Sequence, residues 1–137
     1  MIVIDASSVA KYVLREENWE LIEKRLLHDD VITLNLMLEE VLNAIWKHYS
    51  LLKTITLETV YAKKNILYRL VREEIIRIEH ENKYLDHAFE LALKDRVTVY
   101  DALYIAQAIE KQAKLLTSDE KQAKVAEKHG IETIYTP

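Results

Sequence analysis

The sequence is nearly free of the residues that build disulfides, thiolate metal sites and flexible linkers. Its 137 residues contain no cysteine, one proline and one glycine, at position 130. Without cysteine, neither a disulfide nor a thiolate metal site is possible, and nothing points to an oxidising compartment. A single glycine excludes glycine-rich phosphate loops, dinucleotide-binding fingerprints and the GxSxG elbow of serine hydrolases. The five histidines are scattered and form no HExxH motif, so zinc has little support.

Long apolar runs are also missing. No stretch reaches the length that a membrane-spanning helix needs. The first residues, Met-Ile-Val-Ile-Asp, show no basic leader followed by an extended apolar segment. We therefore expect a cytoplasmic protein without a membrane partner.

The composition that remains is that of a globular protein. Half of the residues are hydrophobic and 31% are charged, which predicts one domain over residues 1–137 with a substantial core. The net charge of −4 is unusual for a protein that grips nucleic acid through a basic face. However, carboxylates gathered around metal ions add negative charge that the bound cations reverse. Net charge therefore does not exclude a nucleic-acid substrate.

Strand-like and helical patterns alternate along the chain. Short apolar runs predict strands at residues 2–4, 31–34, 75–78, 115–116 and 131–135. Apolar residues at helical spacing predict helices at residues 6–14, 19–27, 36–52, 57–72, 84–93, 99–113 and 120–128. This alternation predicts an α/β domain whose mostly parallel sheet is covered on both faces. In such a sheet, ligands bind beyond the carboxyl ends of the strands.

Four acidic residues stand where this kind of fold places its chemistry. Asp5 and Asp119 each follow a predicted strand, whereas Glu40 and Asp101 lie on predicted helices. Because the carboxyl ends of parallel strands converge on one edge, we expect these acids to lie close together. Clustered carboxylates repel one another and need a compensating cation. Their oxygens suit Mg²⁺ or Mn²⁺, which would activate a water and shield a phosphodiester during hydrolysis.

Three of these acids also have a purely structural explanation. Thr98 and Asp101 have the spacing of a helix capping box, as do Thr117 and Glu120, with Asp119 as a first-turn acid. Asp5 fits a simple turn residue equally well. Against this, Asp101 opens a helix that is apolar nearly all round, so we expect its side chain to be partly buried and to need a partner.

The predicted helix at residues 36–52 has one apolar stripe. The stripe consists of Met37, Leu38, Val41, Leu42, Ile45 and Trp46. Glu39 and Glu40 both fall on its polar side, as do Asn43 and Lys47, so periodicity does not choose between the two acids.

Four strings, spread over nearly the whole chain, resemble the motifs of the PIN-domain nucleases, and among these the VapC-like toxins. They are Ile-Val-Ile-Asp-Ala-Ser (2–7), Glu-Val-Leu-Asn-Ala (40–44), Tyr-Asp-Ala-Leu-Tyr-Ile-Ala (100–106) and Leu-Leu-Thr-Ser-Asp-Glu (115–120). The third string is the most specific. The strings follow the order of the family, each contains an acid, and the second selects Glu40 over Glu39.

The resemblance implies a three-layer α/β/α sandwich that cleaves RNA endonucleolytically with Mg²⁺ or Mn²⁺. It also implies a homodimer that a cognate VapB-like antitoxin holds inactive. The implied metal ligands and catalytic residues are Asp5, Glu40, Asp101 and Asp119. Supporting residues that orient waters or phosphate oxygens would be Ser7, Asn43 and Thr117. Candidate contacts to the RNA backbone are Lys11, Arg15 and Lys47, although a solvated helix face is the simpler explanation for each of them.

Two points stay open at this stage. Lys121 and Gln122 stand where some relatives carry a further acid, so the resemblance does not fix one or two metal ions. The alternative function is a non-catalytic interaction module of the same fold. The apolar helices near residues 36–46 would form a groove for an amphipathic segment of an antitoxin, or a dimer contact. A phosphoacceptor receiver domain is disfavoured because Ala6, and not a second acid, follows Asp5.

Overall fold

Five short strands and seven helices make up the computed structural model, which describes residues 1–137. The strands are β1 (Ile2–Ile4), β2 (Val31–Leu34), β3 (Arg77–Glu79), β4 (Lys114–Thr117) and β5 (Thr133–Tyr135). The helices are α1 (Ala6–Leu14), α2 (Trp19–His28), α3 (Leu36–Ser50), α4 (Leu57–Arg72), α5 (Leu85–Asp95), α6 (Val99–Lys111) and α7 (Glu120–Lys128). A single 3-10 turn, Glu81–Tyr84, precedes α5.

The strands form one fully parallel sheet in the order β3-β2-β1-β4-β5. β1 lies at the centre, where Ile2 pairs with Val31 of β2 on one side and with Lys114 of β4 on the other. The chain first adds strands on one side of β1 and then crosses to the other side. The carboxyl ends of β1 and β4 therefore flank the switch point, which is where ligands bind in sheets of this kind.

The core explains why these segments fold as they do. β1 and β2 are completely buried, which requires the β-branched and leucine residues that they contain. Helix α1 packs against α3 and α4, while α6 packs against α5 and against β1 and β4. Residues 102–108 of α6 are all buried, so the expectation of a helix packed on several sides is confirmed. The predicted three-layer sandwich with a mostly parallel sheet is likewise confirmed.

Several predicted details were wrong. β3 begins at Arg77, two residues later than expected, and β5 begins at Thr133. Helix α6 ends at Lys111 because Gln112 adopts the left-handed conformation, with φ of 52°. Trp46 is 51% exposed, so the apolar stripe of α3 is only partly buried. None of the helices combines the length and the apolar character that crossing a membrane requires.

Candidate active site

An acidic cleft opens at the carboxyl ends of β1 and β4. It has a volume of about 240 Å³. Its lining consists of Asp5, Ala6, Ser7, Ala10, Glu40, Ala44, Asp101, Tyr104 and Asp119. All four acids singled out in the sequence thus face the same space, although they come from four different elements or turns. Their catalytic role stays a prediction.

Asp5 sits between the end of β1 and the start of α1 and is only 4% exposed. It caps α1, because its Oδ1 accepts a hydrogen bond from the Ser8 amide at 3.2 Å. The Ser7 hydroxyl donates to the same oxygen at 2.6 Å, and the Thr117 hydroxyl donates to Oδ2. Three donors therefore fix both oxygens of this carboxylate.

Hydroxyl groups tie the turn after β1 to the turn after β4. The Ser118 amide donates to the Ser7 hydroxyl at 2.9 Å, and the Ser8 and Ser118 hydroxyls lie 3.0 Å apart. The Thr117 hydroxyl also accepts from the Asp119 amide at 3.1 Å. Ser7 and Thr117 were expected to orient waters, whereas here they hold Asp5. Sequence reasoning missed Ser8 and Ser118, which only adjacent strands could bring together.

Asp119 is exposed and caps α7, which begins at Glu120. Its Oδ1 accepts hydrogen bonds from the amides of Lys121, at 2.9 Å, and Gln122, at 3.2 Å. The cap of this helix is therefore Asp119, and the predicted cap by Thr117 was wrong because the Thr117 hydroxyl points to Asp5 instead. The capping interaction predicted at Thr98 is confirmed, since its hydroxyl accepts from the Asp101 amide at 3.1 Å.

Glu40 and Asp101 reach the cleft from α3 and α6. Glu40 is half-buried, whereas Glu39 is exposed, so the structure turns Glu40 toward the other acids. The Tyr104 hydroxyl donates to Glu40 Oε1 at 2.7 Å. Tyr104 was missed as a cleft residue, although its place three residues after Asp101 puts both on one face of the helix. Gln122, also missed, donates from its side-chain nitrogen to the Asp101 carbonyl at 2.9 Å.

Burial and mutual repulsion disfavour the ionised forms of the cleft carboxylates. Burial raises the pKa of Asp5 to about 6, even though three hydrogen bonds lower it, and the charge of Asp119 raises it further. Burial also raises the pKa of Glu40, against the hydrogen bond from Tyr104 and with the charges of Asp101 and Asp5. Burial is thus the main reason that both pKa values are raised, and the charges of neighbouring carboxylates add to it.

Asp101 follows the same pattern. Burial is the main reason that its pKa is raised, and the charge of Asp119 adds to this effect. The exposed Lys121 opposes the shift only weakly, as the last of its causes. Lys121 is the one basic side chain among the main causes of these three shifts. The cleft thus lacks the positive charge that would let its carboxylates ionise together.

The donor set fits a hydrated divalent cation better than a closed metal cage. No three acidic or histidine side chains are close enough to form a preassembled metal site. Instead, four carboxylates line one open cleft, without sulfur or imidazole ligands. Mg²⁺ and Mn²⁺ favour such oxygen ligands, and Mg²⁺ keeps several of its waters when it binds one or two carboxylates.

The remaining predicted residues lie around the cleft at different distances. Asn43 is exposed in an adjoining groove, which shares Glu40 and Asp101 with the cleft, and Lys47 is exposed on α3. The Arg15 guanidinium stacks on the ring of Trp19 at 4.0 Å and is exposed. Lys11 does not fit the predicted RNA contact, because it is buried. Its ammonium donates to the Glu17 carbonyl at 3.0 Å.

The fold and the cleft define a three-layer α/β/α protein with a carboxylate site at the switch point of a parallel sheet. The model of the PIN domain family matches residues 2–128, and the chain belongs to this family. The resemblance seen in the four strings is thereby confirmed. Nucleases with this domain generally use divalent metal ions, which agrees with the donors of the cleft.

Known proteins similar to this chain include a ribonuclease. The chain is 36% identical to Ribonuclease VapC3 of Pyrobaculum aerophilum over 124 residues, which covers 89% of this chain and 92% of that protein. The crystal structure of PAE2754 from Pyrobaculum aerophilum has a TM-score of 0.72 at 20% identity, covering 96% of this chain and 87% of that one. Mycobacterium tuberculosis VapC20, a sarcin-ricin loop cleaving toxin, has a TM-score of 0.66 at 18% identity, covering 90% and 94%.

Proposed function

We propose that this protein is a metal-dependent endoribonuclease, the toxin of a VapBC-like toxin–antitoxin pair. The observation that carries the proposal is the convergence of Asp5, Glu40, Asp101 and Asp119 in one cleft of a PIN domain. The 36% identity to a protein named as a ribonuclease, over most of both chains, supports RNA as the substrate. The chain would act as a single nuclease domain in the cytoplasm, where its RNA substrate is found.

In this mechanism, the four acids would hold Mg²⁺ or Mn²⁺ directly or through waters. There the ion would supply an activated water and offset the charge of the phosphodiester. Ser7 and Thr117 keep both oxygens of Asp5 in place, and the Asp119 carboxylate is held by the amides at the start of α7. The amino-terminal end of α1 adds partial positive charge beside the cleft, which favours an anionic substrate.

The proposed partners are RNA, a VapB-like antitoxin and a second copy of the chain. Lys47 and Arg15 remain candidates for contacts with the RNA backbone, and Asn43 for a supporting contact next to the cleft. Trp46 is half exposed on α3, Leu51 is exposed just after α3, and Leu57 is exposed at the start of α4. We propose that these exposed apolar side chains contribute to the contact with an amphipathic segment of an antitoxin.

The test is RNA cleavage by the purified protein, with and without Mn²⁺ or Mg²⁺, alongside two variants. Asp101→Asn removes one cleft carboxylate, whereas Asp86→Asn changes an exposed aspartate in the first turn of α5, outside the cleft. We expect cleavage that requires the metal, is lost in Asp101→Asn and persists in Asp86→Asn. Cleavage that ignores both the metal and the Asp101 substitution would overturn the mechanism. A folded protein that cleaves no RNA with either metal would favour the interaction module.

The toxin role has its own test. We expect the product of a short reading frame next to this gene to copurify with the protein and to inhibit its cleavage of RNA. Cleavage that is unchanged at saturating amounts of that product would separate the nuclease from any antitoxin control.

A further inference from the structure

Tyr104 is a buried tyrosine whose hydroxyl reaches one of the cleft acids. It is 2% exposed, lies on α6 and lines the cleft together with Asp101, which precedes it by three residues. Its hydroxyl donates to Glu40 Oε1 at 2.7 Å, and Glu40 belongs to α3. This hydrogen bond therefore links two acid-bearing helices, α3 and α6, at the cleft.

Glu40 depends on this hydrogen bond more than the other anchored acids depend on any one of theirs. Both oxygens of Asp5 are held, by three donors in all, and two backbone amides hold Asp119. Glu40 has a longer side chain with three rotatable bonds, and the Tyr104 hydroxyl is its only hydrogen-bond donor within the protein. Without that hydroxyl, repulsion from Asp101 and Asp5 would turn the Glu40 carboxylate away from the cleft.

We infer that Tyr104 is a positioning residue, which fixes Glu40 Oε1 so that Glu40 Oε2 is left to face a divalent cation in the cleft. This inference rests on the proposed function, because it concerns how one acid of that site is oriented. Groups that hold a metal ligand by a hydrogen bond set its orientation, and their loss typically weakens metal binding about 10- to 100-fold. Tyr104 itself touches neither the metal nor the RNA in this role.

The chain contains a matched control for this hydrogen bond. Tyr84 is also 2% exposed, and its hydroxyl donates to Glu79 Oε1 at 2.6 Å, but neither residue lines the cleft. Tyr104→Phe and Tyr84→Phe therefore remove the same group from the same kind of bond at two places. Phenylalanine keeps the ring, so neither variant opens a large cavity.

The experiment measures Mn²⁺ binding directly, by electron paramagnetic resonance of the free ion, in the full chain without RNA. We expect Tyr104→Phe to bind Mn²⁺ about 10- to 100-fold more weakly than the wild type, and Tyr84→Phe to match the wild type. With RNA and saturating Mn²⁺, we expect Tyr104→Phe to lower kcat and to leave KM for RNA unchanged. Thermal unfolding of both variants without metal reports any general loss of structure.

A double-mutant cycle separates positioning from mere stabilisation. In a Glu40→Gln background, Tyr104→Phe should weaken Mn²⁺ binding no further, because the ligand that it positions has already been changed. An equal loss in both backgrounds would overturn the inference, as would wild-type affinity in Tyr104→Phe. Should Tyr104→Phe fail to fold, Glu40→Asp keeps the acid but shortens its reach to the hydroxyl, and wild-type Mn²⁺ affinity there would equally overturn the inference.

The same data distinguish this inference from the proposed function. If the wild type binds no Mn²⁺ and cleaves no RNA, the proposed function fails. If the wild type shows metal-dependent cleavage and Tyr104→Phe is indistinguishable from it, only the role of Tyr104 fails.

Discussion

Two acids at the carboxyl ends of strands of the same parallel sheet have opposite surroundings. Glu79 ends β3, and Asp5 directly follows β1. The Glu79 carboxylate forms ion pairs with the ammonium groups of Lys83, at 2.7 Å, and Lys111, at 2.9 Å. The Asp5 carboxylate accepts hydrogen bonds from two hydroxyls and one amide, and its charged neighbours in the cleft are other acids.

The pKa values of the two acids diverge accordingly. Burial raises the pKa of Glu79, but hydrogen bonds from Lys83, Tyr84, Lys111 and Gln107 together outweigh it and bring the value down to about 2. Burial raises the pKa of Asp5 to about 6, because its hydrogen bonds are too weak to compensate and the charge of Asp119 adds to the effect. Both acids make several hydrogen bonds, but Asp5 is the more deeply buried of the two, and only Glu79 has cations among its donors.

The comparison supports the proposed cation site in the cleft. The chain has 19 lysines and arginines, so positive charge is not scarce. Basic side chains contact Glu79, and Lys111 and Gln107 of α6 bind this residue of the edge strand β3. The acids of the cleft have no such ion pair. They therefore retain a free-energy cost that a bound divalent ion would relieve.

The largest effect on stability is expected from Asp5→Asn. Asparagine still caps α1 but carries no charge, so at pH 7 and without metal the free energy of unfolding should rise by up to about 3 kcal/mol. Because the folded-state pKa is raised from 3.8 to about 6, this acid stabilises the wild type below pH 4 and that contribution is lost as pH rises through 6. The variant should lack this dependence.

Urea unfolding in EDTA at pH 7 and pH 5 measures the free energy of unfolding of both proteins. Lower stability of Asp5→Asn than of the wild type at pH 7 would contradict the expected cost of ionising this buried carboxylate. The same variant should be inactive toward RNA, which separates the functional role of Asp5 from its cost to stability.

A slightly smaller effect is expected from the cation itself. Saturating Mn²⁺, at about 100 times its dissociation constant, should raise the free energy of unfolding of the wild type by about 2.7 kcal/mol. Asp101→Asn should reduce this gain, and Asp86→Asn should keep it. Thermal unfolding with and without Mn²⁺ measures the shift. An equal shift in Asp101→Asn and in the wild type would place the stabilising ion outside the cleft.

The sequence predicted the sheet and the four acids because these depend on local patterns. Buried strands read as apolar runs, and the residues at their carboxyl ends follow directly in the sequence, as Asp5 and Asp119 do. Local patterns were not sufficient to identify the acids on helices, since periodicity does not distinguish Glu39 from Glu40. Only the family resemblance chose Glu40, and the burial of its side chain in the cleft agrees with that choice.

The contacts that hold the acids were not predicted, because they join residues far apart in the chain. Tyr104 meets Glu40 across 64 positions, and Thr117 meets Asp5 across 112. The network at Glu79 escaped notice for the same reason, as Gln107 and Lys111 come from a helix two elements later. Lys11 shows the reverse error, since a polar residue on a helix was expected at the surface and is buried.

A moderate effect is expected from Glu79→Gln, which breaks the other side of the comparison. Removing the charge leaves Lys83 and Lys111 without their partner, so the free energy of unfolding at pH 7 should fall by about 2 kcal/mol. Because the folded-state pKa is lowered from 4.5 to about 2, this acid stabilises the wild type above pH 4.5 and that contribution is lost as pH falls toward 2.

Between pH 7 and pH 3, the free energy of unfolding measured with urea should therefore fall less in Glu79→Gln than in the wild type. Binding of Mn²⁺ should be unchanged in this variant. Weaker Mn²⁺ binding would mean that the two acid clusters are coupled, and the comparison between them would then fail.

The smallest effect is expected from Lys121→Gln, which removes a positive charge that lowers the pKa of one cleft acid. Lys121 is exposed, and its positive charge lowers the pKa of Asp101 against the larger effect of burial. The substitution should therefore raise the pKa of Asp101 further, while the free energy of unfolding changes by less than about 0.5 kcal/mol. A titration of carboxyl carbons by NMR, without metal, measures the shift.

Lys124→Gln on the same helix is the control, because Lys124 pairs with Glu120 at 3.0 Å and is not among the causes of the Asp101 shift. If both variants raise the pKa of Asp101 equally, the cleft responds to the overall charge of α7 and not to one neighbouring lysine.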